Sequence, residues 1–169
     1  MNKDGGRKLG LREDWASVPF LVLTMAGFMV SVYDLWILQG LRFRLSTTVM
    51  VGFLLVAFGG YLRITSRMAL KGAGFGLLNS ARLQIVDGQR LLTDGVYDRI
   101  RHPLYLGEIT RNLGFTLVLM SLNGFVIVLV GSLFLHFRIE IEERMLVKEF
   151  GAEYEEYMKR TKKLIPYIY

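Results

Sequence analysis

The chain has 169 residues, 52% of them hydrophobic, and a formal net charge of +6. This length suits one domain, and the long apolar runs indicate an integral membrane protein rather than a soluble one. The absence of cysteine excludes a disulfide framework and thiol chemistry, and two widely separated histidines argue against a metal site. Lysines and arginines lie beside the apolar runs, which indicates a lipid bilayer rather than nucleic acid as the partner.

The N-terminal part of the chain predicts a cytoplasmic tail and two membrane spans. Residues 1–15 form the basic tail, and an apolar run over residues 16–38 follows. This run is too long for the apolar part of a signal peptide and no cleavage pattern follows it, which predicts an uncleaved signal anchor. A second apolar run covers about residues 47–64. Runs of about 20 residues match a hydrocarbon core about 30 Å thick, so residues 16–66 are expected to hold two spans.

The C-terminal part predicts a helical hairpin. Residues 67–103 form a connection with two Asp-Gly turn signals, which predicts an ordered segment on the membrane face. Two apolar runs within residues 104–137, namely 104–121 and 124–137, are separated by so short a turn that they must form antiparallel neighbours. Residues 138–169 predict cytoplasmic helices. The chain is therefore expected to be a single all-α integral membrane domain with about four transmembrane helices and a C-terminal helical hairpin.

Basic residues predict the orientation of these helices. They are frequent in the N-terminal tail, in the connection 67–103 and after residue 137, whereas the first short loop has only Arg42 and Arg44. The positive-inside rule places both termini and the connection in the cytoplasm of a multi-pass protein in the inner or plasma membrane.

Charged residues at the cytoplasmic ends of the last two spans indicate a candidate site. Glu108 and Arg111 share one helix face, and the hairpin is expected to bring them opposite Arg138 and Glu142. Ionisable groups at membrane depth usually face protein or water and suggest a functional site. Taken singly, the polar stretch after residue 137 also fits a solvated helix, and the basic residues before Pro103 also fit a membrane anchor.

Two motifs make the chain recognisable. "GVYDRIRHPLYLG" precedes the hairpin, and "RIEIEERMLVKEFGAEYEEYMKRTKKLIP" follows it. In this order and spacing they resemble the isoprenylcysteine carboxyl methyltransferase family, which includes many prokaryotic members. The resemblance covers about residues 84–166. The first two spans contribute only their hydropathy to it.

The resemblance implies an S-adenosylmethionine-dependent membrane methyltransferase with its cofactor pocket at the cytoplasmic face. It implies a lipophilic or prenylated acceptor that enters from the lipid, most simply an isoprenylcysteine-like carboxylate. Arg138 would orient the acceptor, and no metal is implied. The implied cofactor-binding residues are Gln89, Arg90, Leu91, Leu92, Tyr97, His102, Pro103, Leu104, Tyr105 and Glu142.

The chemistry of these side chains suits that cofactor. His102 can donate to its carboxylate, and Glu142 can accept from its ammonium or ribose hydroxyls. Tyr97 or Tyr105 can stack on adenine or present a ring face to the sulfonium. A carboxylate acceptor needs no general base, whereas for an amine acceptor Glu108 is the candidate base.

Three alternatives remain open from the sequence. Membrane sterol and steroid reductases, which use NADPH, share the R-H-P-x-Y-x-G pattern and a following acid. Phospholipid N-methyltransferases share the cofactor and differ in the acceptor. A non-enzymatic scaffold that binds anionic lipid through its basic face is the third.

Overall fold

The computed structural model describes residues 14–42, 44–72 and 90–165, together with the backbone of residues 7–8 and 84–85. Five α-helices lie in these ranges: α1 (Ser17–Tyr33), α2 (Thr47–Gly72), α3 (Pro103–Val118), α4 (Leu122–Phe150) and α5 (Ala152–Arg160). A π-helical turn, Asp34–Leu38, extends α1, and a 3-10 turn, Gly95–Asp98, precedes α3. Two short antiparallel strands, β1 (Arg7–Lys8) and β2 (Gln84–Ile85), join the N-terminal tail to the connection.

The prediction of an all-helical membrane fold is confirmed. Within the described ranges, three helices are long and apolar enough to cross a membrane: α1 with its π-helical turn, α2 and α4. The expected third span is the shorter helix α3, whose 16 residues extend about 24 Å. Helix α2 continues about two turns beyond its expected end at residue 64, so the beginning of the expected connection is helical.

The bundle consists of two helix pairs, α2 with α3 and α1 with α4, and the α3–α4 hairpin links them. Glycines allow close backbone contact in both pairs. A Cβ on Gly59 would lie 2.6 Å from the Gly107 carbonyl oxygen, and one on Gly27 would lie 3.1 Å from the Gly124 carbonyl oxygen. Apolar burial gives helices little reason to associate in lipid, so this close packing stabilises the bundle.

A polar contact closes the end of the bundle opposite the candidate site. The buried Asp34, in the π-helical turn, accepts hydrogen bonds from Ser121 Oγ at 2.5 Å and Asn123 Nδ2 at 3.3 Å. Gln39 Nε2 donates to the Met120 carbonyl oxygen at 3.0 Å. These bonds tie the end of α1 to the α3–α4 turn.

At the other end, the C-terminal segment returns to the start of α3. Helix α4 runs without a break to Phe150, well beyond the expected apolar end at residue 137. Gly151 has φ +53°, a conformation that favours glycine, and separates α4 from α5. After α5, Lys162 pairs with Ile100, and Arg101 N–H donates to the Lys162 carbonyl oxygen at 2.7 Å.

Candidate active site

The site is built around the first turn of α3. Pro103 occupies the first helical position, where its missing N–H costs no hydrogen bond. His102 precedes the helix and is buried, and its backbone N–H donates to the Lys163 carbonyl oxygen at 3.0 Å. The C-terminal segment therefore fixes the "RHP" motif against the base of α4.

Glu143 is the acidic partner of this motif. Its Oε1 lies 2.7 Å from Arg101 Nε and 3.3 Å from His102 Nε2, and its Oε2 lies 3.4 Å from Lys163 Nζ. Arg101 also donates to the carbonyl oxygens of Thr161 at 2.6 Å and Met158 at 3.2 Å. This buried network holds α3, α4 and the C-terminal segment together. Neither Arg101 nor Glu143 was among the site residues expected from the sequence.

Glu142 faces a group of tyrosines. Tyr105 Oη donates to Glu142 Oε2 at 2.6 Å, and the Tyr105 ring lies 5.7 Å from the His102 ring. Burial raises the pKa of the Tyr97 phenol above its usual range, and the negative charge of Glu142 raises it further. The structure thus brings together His102, Tyr105, Glu142 and Tyr97, four of the residues expected to bind the cofactor.

Tyr154 joins this group from α5. Burial raises the pKa of its phenol, as do the nearby charges of Glu143 and Glu142. Its Oη is buried and has no hydrogen-bond partner among the described residues. The neighbouring Tyr157 Oη, by contrast, donates to the Tyr97 carbonyl oxygen at 2.6 Å. Tyr154 lies in the "FGAEYEEY" part of the second motif, and this motif was the sequence signal that could have identified it.

Arg138 lies beside the same group. Its guanidinium lies 5.6 Å from the centre of the Tyr105 ring, and its Nη2 lies 3.2 Å from Asp14 Oδ2. Asp14 and Arg138 are both buried. Sequence reasoning missed Asp14 because it stands in a tail recognised only by its basic residues.

Glu108 lies elsewhere, and the expectation that it faces the acids and bases of α4 is corrected. Its carboxylate is ion-paired with Arg63 of α2 and with Arg111 Nη2 at 2.7 Å, and it accepts from Asn112 Nδ2 at 3.1 Å. The close contact of Gly59 with Gly107 brings α2 within reach of this carboxylate. Glu108 therefore belongs to the α2–α3 interface.

The remaining expected cofactor residues precede or begin α3. Pro103 is buried, Leu91, Leu92 and Leu104 are half-buried, and Arg90 is exposed. Gln89 lies outside the described residues. Cofactor contact by these residues stays a prediction.

Comparison with known proteins gives a consistent result. A family model described as "Phospholipid methyltransferase" matches residues 47–153. The chain is 34% identical over 119 residues to a probable protein-S-isoprenylcysteine O-methyltransferase of Oryza sativa subsp. japonica, covering 70% of this chain and 61% of the relative. It is 37% identical over 130 residues to the Schizosaccharomyces pombe protein-S-isoprenylcysteine O-methyltransferase, and the match covers 75% of this chain and 52% of that protein. For the Homo sapiens protein of that name, the identity is 35% over 118 residues, and the match covers 69% of this chain and 40% of the human protein.

A solved structure has the same fold. The eukaryotic intramembrane Ras methyltransferase, an isoprenylcysteine carboxyl methyltransferase, superposes with a TM-score of 0.70 at 23% identity, over 88% of this chain and 52% of that one. The chain thus spans between 40% and 61% of the length of the curated relatives described above. The chain therefore belongs to the phospholipid methyltransferase family, together with the isoprenylcysteine carboxyl methyltransferases that its two motifs resemble.

Proposed function

We propose that this membrane protein is an S-adenosylmethionine-dependent methyltransferase that methylates the carboxyl group of a lipophilic, isoprenylcysteine-like acceptor. The observation that carries the proposal is the convergence of His102, Tyr105 and Glu142 beside Arg138, in a chain of this family. The names of its relatives, which describe O-methylation of protein S-isoprenylcysteine, point to the same reaction.

The polar groups at the site fit this cofactor. The Tyr154 hydroxyl is buried with no partner among the described residues, so it is available to donate to a ligand. The Glu142 carboxylate can accept from the cofactor's ammonium or ribose hydroxyls. The first turn of α3 presents backbone N–H groups that favour a carboxylate, next to His102. When bound, the cofactor supplies an electrophilic methyl group on its sulfonium.

Arg138 would hold the acceptor. A guanidinium binds a carboxylate through paired N–H donors, and the cation–π contact with the Tyr105 ring helps to hold it in place. Because the acceptor carboxylate is already ionised at neutral pH, the protein needs only to align it with the methyl group and exclude water. Asp14 occupies one side of Arg138 and would orient the guanidinium.

We place the site and both termini on the cytoplasmic side. The basic residues of α2 and of the segment before α3 support this orientation, because basic residues concentrate on the cytoplasmic side of membrane proteins. The exposed apolar side chains along α1 and α2 place these helices in lipid, from which a prenyl group could approach.

Methyl transfer to defined acceptors tests the proposal. Purified protein would be incubated with methyl-labelled S-adenosylmethionine and N-acetyl-S-farnesylcysteine, a fatty acid or phosphatidylethanolamine. We expect a base-labile methyl ester on the farnesylcysteine. Glu142→Gln should weaken S-adenosylhomocysteine binding at least about tenfold, as expected for loss of a charge-assisted hydrogen bond. Glu149→Gln, an exposed change on the same helix, should leave it unchanged.

Two results would contradict the proposal. Thermal stabilisation by NADPH and not by S-adenosylhomocysteine would support a reductase. Equal cofactor binding by Glu142→Gln and Glu149→Gln would remove Glu142 from the cofactor site.

A phospholipid amine is the second candidate acceptor, because the matching family model carries that description. Amine methylation needs a base, and Glu108 is held by Arg63 and Arg111 on the α2 side of α3. Base-stable label on phosphatidylethanolamine, and none on farnesylcysteine, would favour this candidate.

A further inference from the structure

A second charged cluster lies between α2 and α3, apart from the candidate active site. It consists of Arg63 and Arg67, one turn apart on α2, with Glu108 and Arg111 on α3. Arg63 and Arg111 both pair with Glu108. Because residues four apart share a helix face, Arg67 lies on the same side of α2 as Arg63.

The charges of this cluster do not balance among the described residues. Glu108 is its single carboxylate there, and its oxygens are already used by Arg63, Arg111 and Asn112. Arg67 Nε is buried and has no hydrogen-bond partner in the described part of the chain. Partly desolvated cations that repel one another destabilise the fold unless an anion neutralises them. Among the described residues, the cluster therefore carries two positive charges without a counter-charge.

The position of the cluster indicates where that anion comes from. Arg63 and Arg67 follow the apolar stretch of α2, at the level where the helix leaves the hydrocarbon. Ile64 and Met68, their neighbours in sequence, are 62% and 68% exposed. On a membrane helix such exposed apolar side chains face lipid, which places the anion beside acyl chains.

We propose that Arg63, Arg67 and Arg111 form a binding site for the phosphate of an anionic lipid headgroup in the groove between α2 and α3. Guanidinium groups suit this ligand because they donate paired hydrogen bonds to phosphate oxygens. Glu108 holds two of the guanidiniums in place, and Arg67 provides an Nε donor that no described residue accepts. This lipid is not the methyl acceptor, since Glu108 faces α2 while Tyr105 and Glu142 lie at the α3–α4 interface. The proposal is independent of the proposed methyl transfer.

Lipid-dependent melting tests the site. The full chain would be purified in dodecyl maltoside and melted with increasing short-chain phosphatidylglycerol, phosphatidylcholine or inorganic phosphate. We expect a saturable rise in melting temperature with phosphatidylglycerol and none with phosphatidylcholine. A weaker response to inorganic phosphate would identify a headgroup as the source, whereas saturation at the same concentration would identify free phosphate bound at the same site.

Arg67→Gln and Lys71→Gln form a matched pair for this experiment. Both remove one positive charge from the last turns of α2, and Lys71 is exposed. Arg67→Gln should raise the half-saturating lipid concentration at least about tenfold, through loss of a charge-assisted hydrogen bond. Lys71→Gln should leave it nearly unchanged. In detergent alone, Arg67→Gln should melt at the same or a higher temperature, because one repelling cation has been removed.

Three outcomes would overturn the proposal. An equal loss of lipid response in the two variants would mean diffuse surface attraction. An equal response to phosphatidylcholine would exclude charge recognition. A lower melting temperature for Arg67→Gln in detergent alone would mean that a protein group already neutralises this side chain.

Discussion

Replacing Gly59 by alanine tests the glycine contact that joins α2 to α3. A Cβ at this position would lie 2.5 Å from the Arg111 backbone nitrogen and 2.6 Å from both the Gly107 carbonyl oxygen and Thr110 Oγ1. Two of these atoms belong to the backbone and cannot rotate away, so the helices must separate by somewhat less than about 1 Å. A gap of this size removes a quarter to a half of the dispersion energy of each affected contact. We expect the free energy of unfolding to fall by about 1–3 kcal/mol, the usual range for overpacking.

Gly60→Ala is the matched control. Gly60 is the next residue of the same helix, and no atom lies within 4 Å of the position that a Cβ would take there. Alanine there should stabilise α2 by up to about 1 kcal/mol, because it lowers the backbone entropy of the unfolded chain. Both variants would be unfolded in mixed detergent micelles by a titration with dodecyl sulfate, followed by circular dichroism. If Gly59→Ala proves as stable as Gly60→Ala, the two helices do not meet through backbone contact.

The other predictions concern the site and its surroundings. Tyr154→Phe should leave the melting temperature of the cofactor-free protein unchanged, since the removed hydroxyl has no partner among the described residues, but should weaken S-adenosylhomocysteine binding in calorimetry. Tyr157→Phe removes a buried hydrogen bond to the Tyr97 carbonyl oxygen and should cost about 1 kcal/mol in the same melt; equal stability of the two variants would contradict both assignments. Asp14→Asn removes an ion-pair partner of Arg138, so it should lower the free energy of unfolding by about 1–3 kcal/mol. It should also raise the KM for the carboxylate acceptor without changing the KM for the cofactor, and an equal change in both KM values would refute this. Burial raises the pKa of Tyr97, Tyr154 and Tyr157 above that of the unfolded chain, so the stability that these phenols contribute is complete below about pH 10 and is lost as the pH rises further; a flat alkaline limb in pH-dependent melting would contradict their burial.

The helices were largely predictable from the sequence because hydropathy and single turn residues determine them locally. The apolar run over residues 16–38 predicted α1 with its π-helical turn closely. Helix α3 was expected to be longer because its apolar run continues to the α3–α4 turn, whereas its last helical residue is Val118. Hydropathy alone does not locate the end of a helix inside an apolar run.

The motifs identified several of the residues that meet at the site, but they did not identify which side chains contact each other there. Glu142 and Glu143 are adjacent acids, and the rotation of α4 decides that Glu143 meets Arg101 and His102 while Glu142 meets Tyr105. Successive residues of a helix point about 100° apart, so packing rather than sequence assigns their partners. The same reason explains why Glu108 was expected on the wrong side of α3.

The pairing of α1 with α4 has a consequence for assembly in the membrane. Helix α1 packs against α4, which follows it in the chain only after α2 and α3. After insertion, α1 therefore stays in the lipid without this partner while α2 and α3 are made and pair with each other. During that time the small residues Gly27 and Ser31, which later meet α4, lie open to other helices. A chain interrupted before α4 would therefore expose a small-residue helix face that favours association with other helices. A quality-control protease of the membrane could recognise this face.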